Sequence, residues 1–216
     1  MNFSMYCDEI RVMIADFLQF LNQFTYEYVA SSGTGANLWL GDKCKRYTED
    51  VTLDFMGGST ARTGILHIIK SYCGARDYKM QCVSGRLDST SITFEVFDVK
   101  SSVKMYINVC YRLSMCDRST LCTKVNGVTT YNLDALVNSL CLVCTGDIVE
   151  NLYDIVMLCK YHWDKLAPSS RFCVISKFVH IDLSMIMKWL EKYNKEGLDV
   201  QMLRCDVRAL YEELGL

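Results

Sequence analysis

Proline is almost absent from this 216-residue sequence, which contains a single one, Pro168. Proline-rich linkers and low-complexity tails are therefore excluded. A strong excess of charge is also lacking, since the formal net charge is −2, and this excludes a protein that coats nucleic acid through bulk electrostatic attraction. A local basic groove stays open, because net charge says nothing about distribution. With 50% hydrophobic and 22% charged residues, the sequence is typical of a globular protein with a sizeable core.

The sequence also lacks the features of a signal peptide and of a membrane span. Its first ten residues include Asp8 and Glu9, where a signal peptide would have a basic start followed by an apolar run. The longest apolar stretches, such as 140–143, are far shorter than the roughly 20 residues that a helix needs to cross a bilayer. We therefore expect a cytoplasmic protein without a membrane partner.

Metal-ligand spacing is missing among the twelve cysteines. The one Cys-x-x-Cys pair, Cys141 and Cys144, has no second such pair and no histidine pair to complete a four-ligand zinc site. Both residues also fall on one face of a predicted apolar helix, because positions i and i+3 of a helix are neighbours. We interpret the cysteines as buried thiols in a reducing cytosol, with zinc binding or redox use as the alternative.

The hydrophobic patterns that are present predict an α/β (α+β) protein. Apolar spacing over 8–24 is helical, and a strand over 26–30 leads through a small-residue turn to a short helix over 36–40. A helix is then predicted over 60–72, and strands are predicted over 50–55, 78–86, 91–99 and 103–113. After residue 130 the helical segments are 133–143, 148–161, 185–193 and 200–214, whereas 172–179 fits a strand or a helix. We predict a sheet-containing core over 1–130 and a helical region packed on it over 131–216.

One group of motifs between residues 26 and 55 points to nucleotide chemistry. A strand leads into Ser32, Gly33 and Thr34, and small residues at such a turn let backbone N–H groups approach a phosphate closely. The next predicted strand contains Asp50, four residues after Arg46. Carboxylates at positions i and i+2 of a strand point to one face, as the ligands of a magnesium pair on phosphate oxygens must.

Taken together, these motifs resemble the nucleotidyltransferase fold of AbiEii/AbiGii-type bacterial toxins. Residues 29–41 (VASSGTGANLWLG) are similar to the glycine-rich start of that family, and residues 46–55 (RYTEDVTLDF) are similar to its acidic strand. Residues 132–141 (NLDALVNSLC) and 150–158 (ENLYDIVML) are similar to its paired closing helices. The resemblance covers about residues 26–166, in the order of the family.

This resemblance implies a mixed nucleotidyltransferase-like sheet, followed by a helical half, and an activity that depends on Mg²⁺. An active member would transfer a nucleotide from an NTP to an RNA or protein acceptor, and would have an antitoxin-like protein as a partner. The implied site residues are Ser32, Gly33, Thr34 and Arg46 for the nucleotide, Asp50 and Asp54 for the metal, and Asp50 and Asp154 for catalysis.

The acidic motif departs from the family pattern. Asp50 takes the place of the first metal-binding acid, but the second place is taken by Thr52. Asp54 lies on the same face, roughly 13 Å further along the strand, which is too far for one metal pair unless a bulge intervenes. A third acid is expected on a later strand, where Tyr106 or Asn108 stands.

Further departures lie in the helical half, where Ser139 stands near the expected lysine and 150–151 reads Glu-Asn instead of Arg-Asp. We therefore expect an altered or impaired site, to which Asp54 or Glu95 could be recruited; Asp54 could instead be structural. The main alternative is a catalytically inactive binding or regulatory protein of the same fold. A further alternative is an unrelated α/β fold.

Overall fold

The computed structural model describes residues 3–24, 28–44, 46–55, 62–86, 90–111, 118–142, 148–193 and 197–216. Cys144 and the first residues of the predicted helix 60–72 lie outside these ranges. The chain divides into two compact units. The sheet unit comprises Met1–Thr34 and Thr48–Thr130, and the helical unit comprises Gly35–Tyr47 and Tyr131–Leu216. The two-domain division predicted at residue 130 stays a prediction.

A seven-stranded mixed sheet forms the centre of the sheet unit, in the order β3-β4-β5-β2-β1-β7-β6. Strand β1 is antiparallel to β2 and parallel to β7, and β2 is parallel to β5. The α/β class predicted from the sequence is confirmed. The strands are β1 (Tyr28–Ala30), β2 (Asp50–Phe55), β3 (Lys79–Gly85), β4 (Ser91–Phe97), β5 (Lys104–Tyr111), β6 (Cys122–Val125) and β7 (Val128–Tyr131).

The helices of this unit are α1 (Phe3–Leu21), α3 (Arg62–Arg76) and the short α4 (Arg118–Leu121), and α2 (Ser32–Leu40) begins directly after β1. Strand β5 shows why the sheet has two different faces. Its residues Met105, Ile107 and Val109 are fully buried, because alternate side chains point to the face on which α1 and α3 pack. Tyr106 and Asn108 point to the opposite face and are only half-buried. The sheet therefore has an apolar core face and a polar face.

Strands β6 and β7 were not predicted from the sequence. They are joined by Asn126 and Gly127, whose φ angles are +51° and +82°. Two consecutive residues with positive φ form the type of turn that matches the twist of a two-stranded hairpin, and Asn-Gly is the dipeptide that most favours it. The Asn-Gly dipeptide was therefore the signal that could have identified this hairpin.

The helical unit contains α5 (Leu133–Leu142), α6 (Ile148–His162), α7 (Pro168–His180), α8 (Leu183–Lys192) and α9 (Val200–Leu214). Asp182 and Asp199 accept hydrogen bonds from the first turns of α8 and α9, which satisfies N–H groups that a helix leaves open at its start. The ambiguous segment 172–179 is helical. Pro168 stands in the first turn of α7, where proline favours a helix. No described helix is long and apolar enough to cross a membrane.

Segment 35–47 belongs to the helical unit, although it precedes most of the sheet in sequence. The indole Nε1 of Trp39 donates to the carbonyl oxygen of Tyr131 at 3.1 Å. The backbone N–H of Tyr47 donates to the carbonyl oxygen of Gly197 at 2.8 Å. Gly197 has a φ of +89°, and a Cβ atom there would lie 2.4 Å from the Cβ of Tyr47. Glycine is therefore required where this segment contacts the helices.

Cysteine burial differs from the prediction of a buried set. Cys73, Cys141 and Cys159 are buried, whereas Cys82 and Cys205 are exposed. None of the cysteines in the described residues forms a disulfide. Exposure of Cys82 follows from its position on β3, an edge strand of the sheet, most of whose side chains are exposed.

Two valines test the assignment of the core face. Val109 on β5 is fully buried and Val83 on β3 is 45% exposed. We expect Val109→Ala to lower the free energy of unfolding by about 2 kcal/mol, because it removes two buried methyl groups and leaves a cavity. Val83→Ala removes the same atoms from a partly solvated position and should change it by less than about 0.5 kcal/mol. Urea denaturation followed by circular dichroism measures both, and equal effects would contradict the assignment.

Candidate active site

Three hydrogen bonds attach the turn after β1 to strand β2. The backbone N–H of Ser31 donates to the carbonyl oxygen of Thr52 at 3.0 Å. The N–H of Thr52 donates to the hydroxyl oxygen of Thr34 at 2.8 Å, and the hydroxyl of Ser31 donates to Oδ1 of Asp54 at 3.0 Å. Ser31, Thr34 and Asp54 are all buried. The turn is therefore fixed on β2 by bonds that water does not compete for.

Helix α2 begins at Ser32, one turn earlier than the sequence predicted. Ser32 has a φ of +47°, a left-handed conformation that costs a residue with a Cβ atom about 1–2 kcal/mol. Glycine adopts the same conformation without that cost. The N–H groups in the first turn of a helix have no partner within it and carry the positive end of its dipole. Ser32 and Gly33 are half-buried, so this end of α2 is partly accessible.

Asp50 is exposed at the start of β2, and its neighbours on the parallel strand β5 are known from the register. Asp50 is paired with Tyr106, and Thr52 is paired with Asn108. The two residues expected at the place of the third acid are thus the ones beside Asp50 and Thr52. Neither is a carboxylate, so among the places expected for the three acids only that of Asp50 is taken by one.

The polar face continues as a hydrogen-bonded network centred on Glu95 of β4. Its carboxylate accepts from the hydroxyl of Tyr106 at 3.0 Å and from Nε2 of Gln81 at 2.9 Å, and Nζ of Lys104 lies 3.4 Å away. Burial raises the pKa of Glu95, but the bonds from Tyr106 and Gln81 and the charge of Lys104 outweigh it, so the pKa lies below its usual value. Glu95 is therefore an ionised carboxylate whose oxygens already have donors.

This network was not predicted. Asn108, next to it on β5, accepts at Oδ1 from the hydroxyl of Thr93 at 2.8 Å. The signal was present in the sequence, because polar residues at 93 and 95, and again at 104, 106 and 108, alternate with apolar residues. This alternation places the polar residues on one face of two paired strands.

Asp54 lies in surroundings that do not favour metal binding. Its side chain is fully buried and bonded to Ser31. Among the residues that the structure describes, no group of three or more His, Cys, Asp and Glu side chains is arranged to hold a metal ion. The assignment of Asp54 as a metal ligand stays a prediction, and the geometry favours its structural alternative.

Arg46 and Asp154 form a buried ion pair in the helical unit. Nε and one terminal nitrogen of Arg46 donate to the two carboxylate oxygens of Asp154, at 2.8 and 2.9 Å. Arg46 is 5% exposed and Asp154 is 1% exposed. The other terminal nitrogen lies 3.6 Å from Glu150, whose carboxylate is within hydrogen-bond distance (3.2 Å) of the hydroxyl of Tyr193.

In this pair, the charge of each residue affects the pKa of the other. Burial raises the pKa of Asp154, and the nearby guanidinium opposes that rise. Burial would lower the pKa of Arg46, but the carboxylate of Asp154 raises it above its usual value. Arg46 is therefore always charged, and its charge is balanced inside the unit. The pair ties segment 35–47 to α6, and the catalytic role expected for Asp154 stays a prediction.

A substitution at Ser32 tests the strained start of α2. We expect Ser32→Gly to raise the free energy of unfolding by up to about 1 kcal/mol. Glycine removes the cost of the left-handed conformation, and the greater conformational entropy of glycine in the unfolded chain offsets only part of this gain. Asp77→Gly tests the same effect at a second position, since Asp77 also has a positive φ, of +59°. Thermal unfolding followed by circular dichroism measures both. A loss of stability at both positions would contradict the conformational argument.

The buried ion pair can be compared with an exposed pair of the same geometry. Arg76 and Asp16 also make two bonds of 2.8 Å, but their side chains are 42% and 32% exposed. We expect Asp154→Asn to lower the free energy of unfolding by about 3–5 kcal/mol, because it leaves a guanidinium charge buried without its partner. Asp16→Asn should cost about 1 kcal/mol or less. Urea denaturation of both variants decides this, and similar losses would show that burial of the charge is unimportant.

No protein-family model matches the sequence, and no curated protein is similar to it at the sequence level. Solved structures do match. A proposed nucleotidyltransferase of Helicobacter pylori has a TM-score of 0.69 and 13% identity, over 100% of this chain and 98% of the other.

Two further structures agree with this match. JHP933 of Helicobacter pylori has a TM-score of 0.64 and 11% identity, over 100% of this chain and 94% of the other. MenT4, a nucleotidyltransferase toxin of Mycobacterium tuberculosis, has a TM-score of 0.55 and 12% identity, over 97% and 84%. Identities this low establish the fold alone, and the resemblance predicted from the sequence is confirmed at that level: the chain has the fold of the nucleotidyltransferases.

Proposed function

We propose that this chain is a nucleotidyltransferase-superfamily protein that transfers a nucleotide from an NTP to an RNA or protein acceptor through an altered site. The observation that carries the proposal is the attachment of the start of α2 to β2, beside the exposed Asp50, in a chain with this fold. The MenT4 neighbour, a nucleotidyltransferase toxin, supports a toxin-like role. An antitoxin-like protein would then be the partner.

The triphosphate would bind at the start of α2. Backbone N–H groups at a helix N-terminus favour phosphate through their direction and through the helix dipole. Ser32 and Gly33 are partly accessible there, and their backbone would contact the phosphates. The hydroxyl oxygen of Thr34 already accepts from Thr52, so Thr34 would act mainly by holding the turn in place. Arg46, paired with Asp154, would act by positioning segment 35–47.

The residues present do not fit a pair of magnesium ions. At the expected places Asp50 is the one carboxylate, Thr52 and Asn108 are neutral, and Asp54 is buried against Ser31. Hard divalent cations take oxygen ligands, and two-metal sites need several shared carboxylates. We therefore propose at most one Mg²⁺, brought by the NTP and bound to the chain through Asp50. No step of the reaction is assigned to a second ion.

In the transfer itself, a hydroxyl oxygen of the acceptor forms a bond to the α-phosphorus, the bond from that phosphorus to the β-phosphate oxygen breaks, and pyrophosphate leaves with the electron pair. The hydroxyl proton passes to solvent, because the carboxylate of Asp50 is assigned to the ion. The chain itself contributes orientation of the triphosphate and the positive end of the α2 dipole, where negative charge increases.

The second candidate is a catalytically inactive nucleotide-binding or regulatory protein. The polar face supports it, because Asn108 is bonded to Thr93 and Glu95 is bonded to Tyr106 and Gln81. Side chains that satisfy one another in this way offer few open ligands to a metal ion. Such a protein would keep the N-terminus of α2 for phosphate binding and lose the transfer.

Calorimetric titration with each NTP, with and without Mg²⁺, separates the two candidates. For an enzyme we expect binding that strengthens with Mg²⁺ and weakens about tenfold or more in Asp50→Ala, since the carboxylate would hold the ion. For the inactive protein we expect binding that depends neither on Mg²⁺ nor on Asp50. Asp77→Ala is the control, because it removes an exposed carboxylate in the same unit.

Transfer is then measured with NTP labelled at the α-phosphate, incubated with total RNA and with total protein. Label that appears in either fraction with the intact chain, and disappears in Asp50→Ala, supports the enzyme. Binding without transfer supports the inactive protein. The absence of binding by every NTP at millimolar concentration would overturn the enzyme and the nucleotide-binding protein, and would indicate a regulatory protein that uses this fold for protein interaction.

A further inference from the structure

A buried histidine at the end of α6 is not used by the proposed transfer. The ring of His162 is 9% exposed and meets the indole of Trp39 in a T-shaped arrangement, with 6.0 Å between the ring centres. Its Nε2 atom lies 3.2 Å from the carbonyl oxygen of Trp39. Because a carbonyl oxygen only accepts, Nε2 carries the proton of the neutral ring. Histidine changes its charge between about pH 5 and pH 8, so this contact is one that pH can alter.

The other ring nitrogen of His162, Nδ1, is buried and has no hydrogen-bond partner among the residues that the structure describes. Protonation would turn this atom into an N–H donor and would give the ring a full positive charge. A buried donor without an acceptor and a buried charge without a partner are both costly. The charged ring is therefore disfavoured for as long as it stays in this position.

Charges near the ring add to this cost. Burial is the largest cause that lowers the pKa of His162, and the cations Lys165 and Lys43 lower it further. The bond to the carbonyl oxygen of Trp39 raises this pKa, but the net direction is downwards. The electrostatic surroundings thus agree with the unpartnered Nδ1 atom.

Acidic side chains on the surrounding elements do not compensate these cations at the ring. They are Asp42 and Asp164 in the adjoining turns, Asp134 on α5, and Asp206, Glu212 and Glu213 on α9. The two in the turns and the two glutamates are exposed, whereas Asp134 accepts from a backbone N–H and Asp206 is bonded to Lys160. On α6 itself, Glu150 and Asp154 lie about two turns away or more, beside Arg46. None of these acids contributes to the pKa of His162.

The contact with Trp39 ties one end of a short segment to α6. The carbonyl oxygen of Trp39 belongs to the last turn of α2, where a helix leaves carbonyl groups that need an outside donor, and His162 supplies one. Residues 41–43 beyond it are exposed, and Nζ of Lys43 lies 4.4 Å over the ring of Tyr161. The other end of the segment is fixed by the buried pair of Arg46 with Asp154. Loss of the His162 contact would therefore free residues 39–44 without detaching residue 46.

We propose that His162 is a pH sensor, whose protonation moves the ring into water and releases residues 39–44 from the end of α6. In the released state the exposed ring has the ordinary pKa of about 6.5, whereas burial lowers the pKa in the closed state. The neutral ring therefore stabilises the closed state fully above about pH 6.5, and this stabilisation is lost as the pH falls towards the lowered pKa. The inference does not depend on nucleotide binding or transfer.

Hydrogen exchange of the full chain, followed by mass spectrometry, measures this opening. We expect the protection of the amides of residues 40–44 to fall about tenfold between about pH 7.5 and about pH 5.5, after correction for the intrinsic exchange rate. Proton uptake favours the open state by about tenfold for each pH unit below the ordinary pKa. Protection in α9 should stay within about twofold over the same range.

Matched variants then test whether His162 is responsible. His162→Gln keeps an N–H donor for the carbonyl oxygen of Trp39 but does not titrate, so the protection of residues 40–44 should no longer depend on pH. His180→Gln is the control, because His180 is exposed and its Nδ1 contacts the carbonyl oxygen of Ser176 within α7; the tenfold fall should remain. Lys165→Gln removes a cation that lowers the pKa of His162 and should make the fall smaller, since it then ends at a higher pH.

Three results would each overturn the proposal. The first is protection of residues 40–44 that does not change with pH, and the second is an equal change in His162→Gln. The third is an equal fall in α9, which would indicate general destabilisation by acid. An NMR titration of the ring C–H signals needs no folded variant: in the intact chain a His162 pKa below the usual value supports the proposal, and one at or above it overturns the proposal.

Discussion

The attachment of the β1–α2 turn to strand β2 is the interaction on which the candidate site depends. The N–H of Thr52 donates to the hydroxyl oxygen of Thr34, and the buried carboxylate of Asp54 accepts from Ser31. Because these bonds are buried, breaking one would leave a polar group without a partner, which costs about 1–3 kcal/mol. The start of α2 and the exposed Asp50 at the beginning of β2 are thereby held in one frame. A strained residue, Ser32, is tolerated within it.

The attachment of this turn also bears on the roles of Asp50 and Asp54, the two acids of β2. Asp54 shares a face with Asp50, but its carboxylate is buried and accepts a hydrogen bond from Ser31 of the turn. Tyr106 and Asn108, the neighbours of β2 on β5, belong to a set of side chains that satisfy one another across β3, β4 and β5. A polar face of this kind is stable without a metal ion, because few of its groups are left unsatisfied. This is the physical basis for keeping an active and an inactive nucleotide-binding protein as rival proposals.

The helical unit contains both a buried ion pair and an open apolar cavity. The charges of Arg46 and Asp154 are removed from water and balanced by two short bonds, which is tolerable because both partners are satisfied. The apolar wall formed by α5, α6, α7 and α8 is instead left open, and Leu142 and Phe172 stand at its mouth.

The sequence by itself determined the order of most helices and strands and the α/β class. These follow from periodicity. Residues two apart share a face of a strand, and residues three or four apart share a face of a helix. Tyr106 and Asn108 were instead expected at the place of the third acid from the family resemblance, and the sheet pairs them with Asp50 and Thr52. The family resemblance depended on local motifs of the same kind.

The tertiary structure alone decided what depends on partners far away along the chain. Segment 35–47 joins the helical unit through Trp39 and Tyr131, which are 92 residues apart, and through Arg46 and Asp154, which are 108 apart. The burial of Asp54 and the open cavity lined by α7 are likewise set by the packing of separate elements. Periodicity fixes which side a residue faces, but only packing fixes what it meets there, because burial and charge pairing arise from the whole neighbourhood and not from the local sequence.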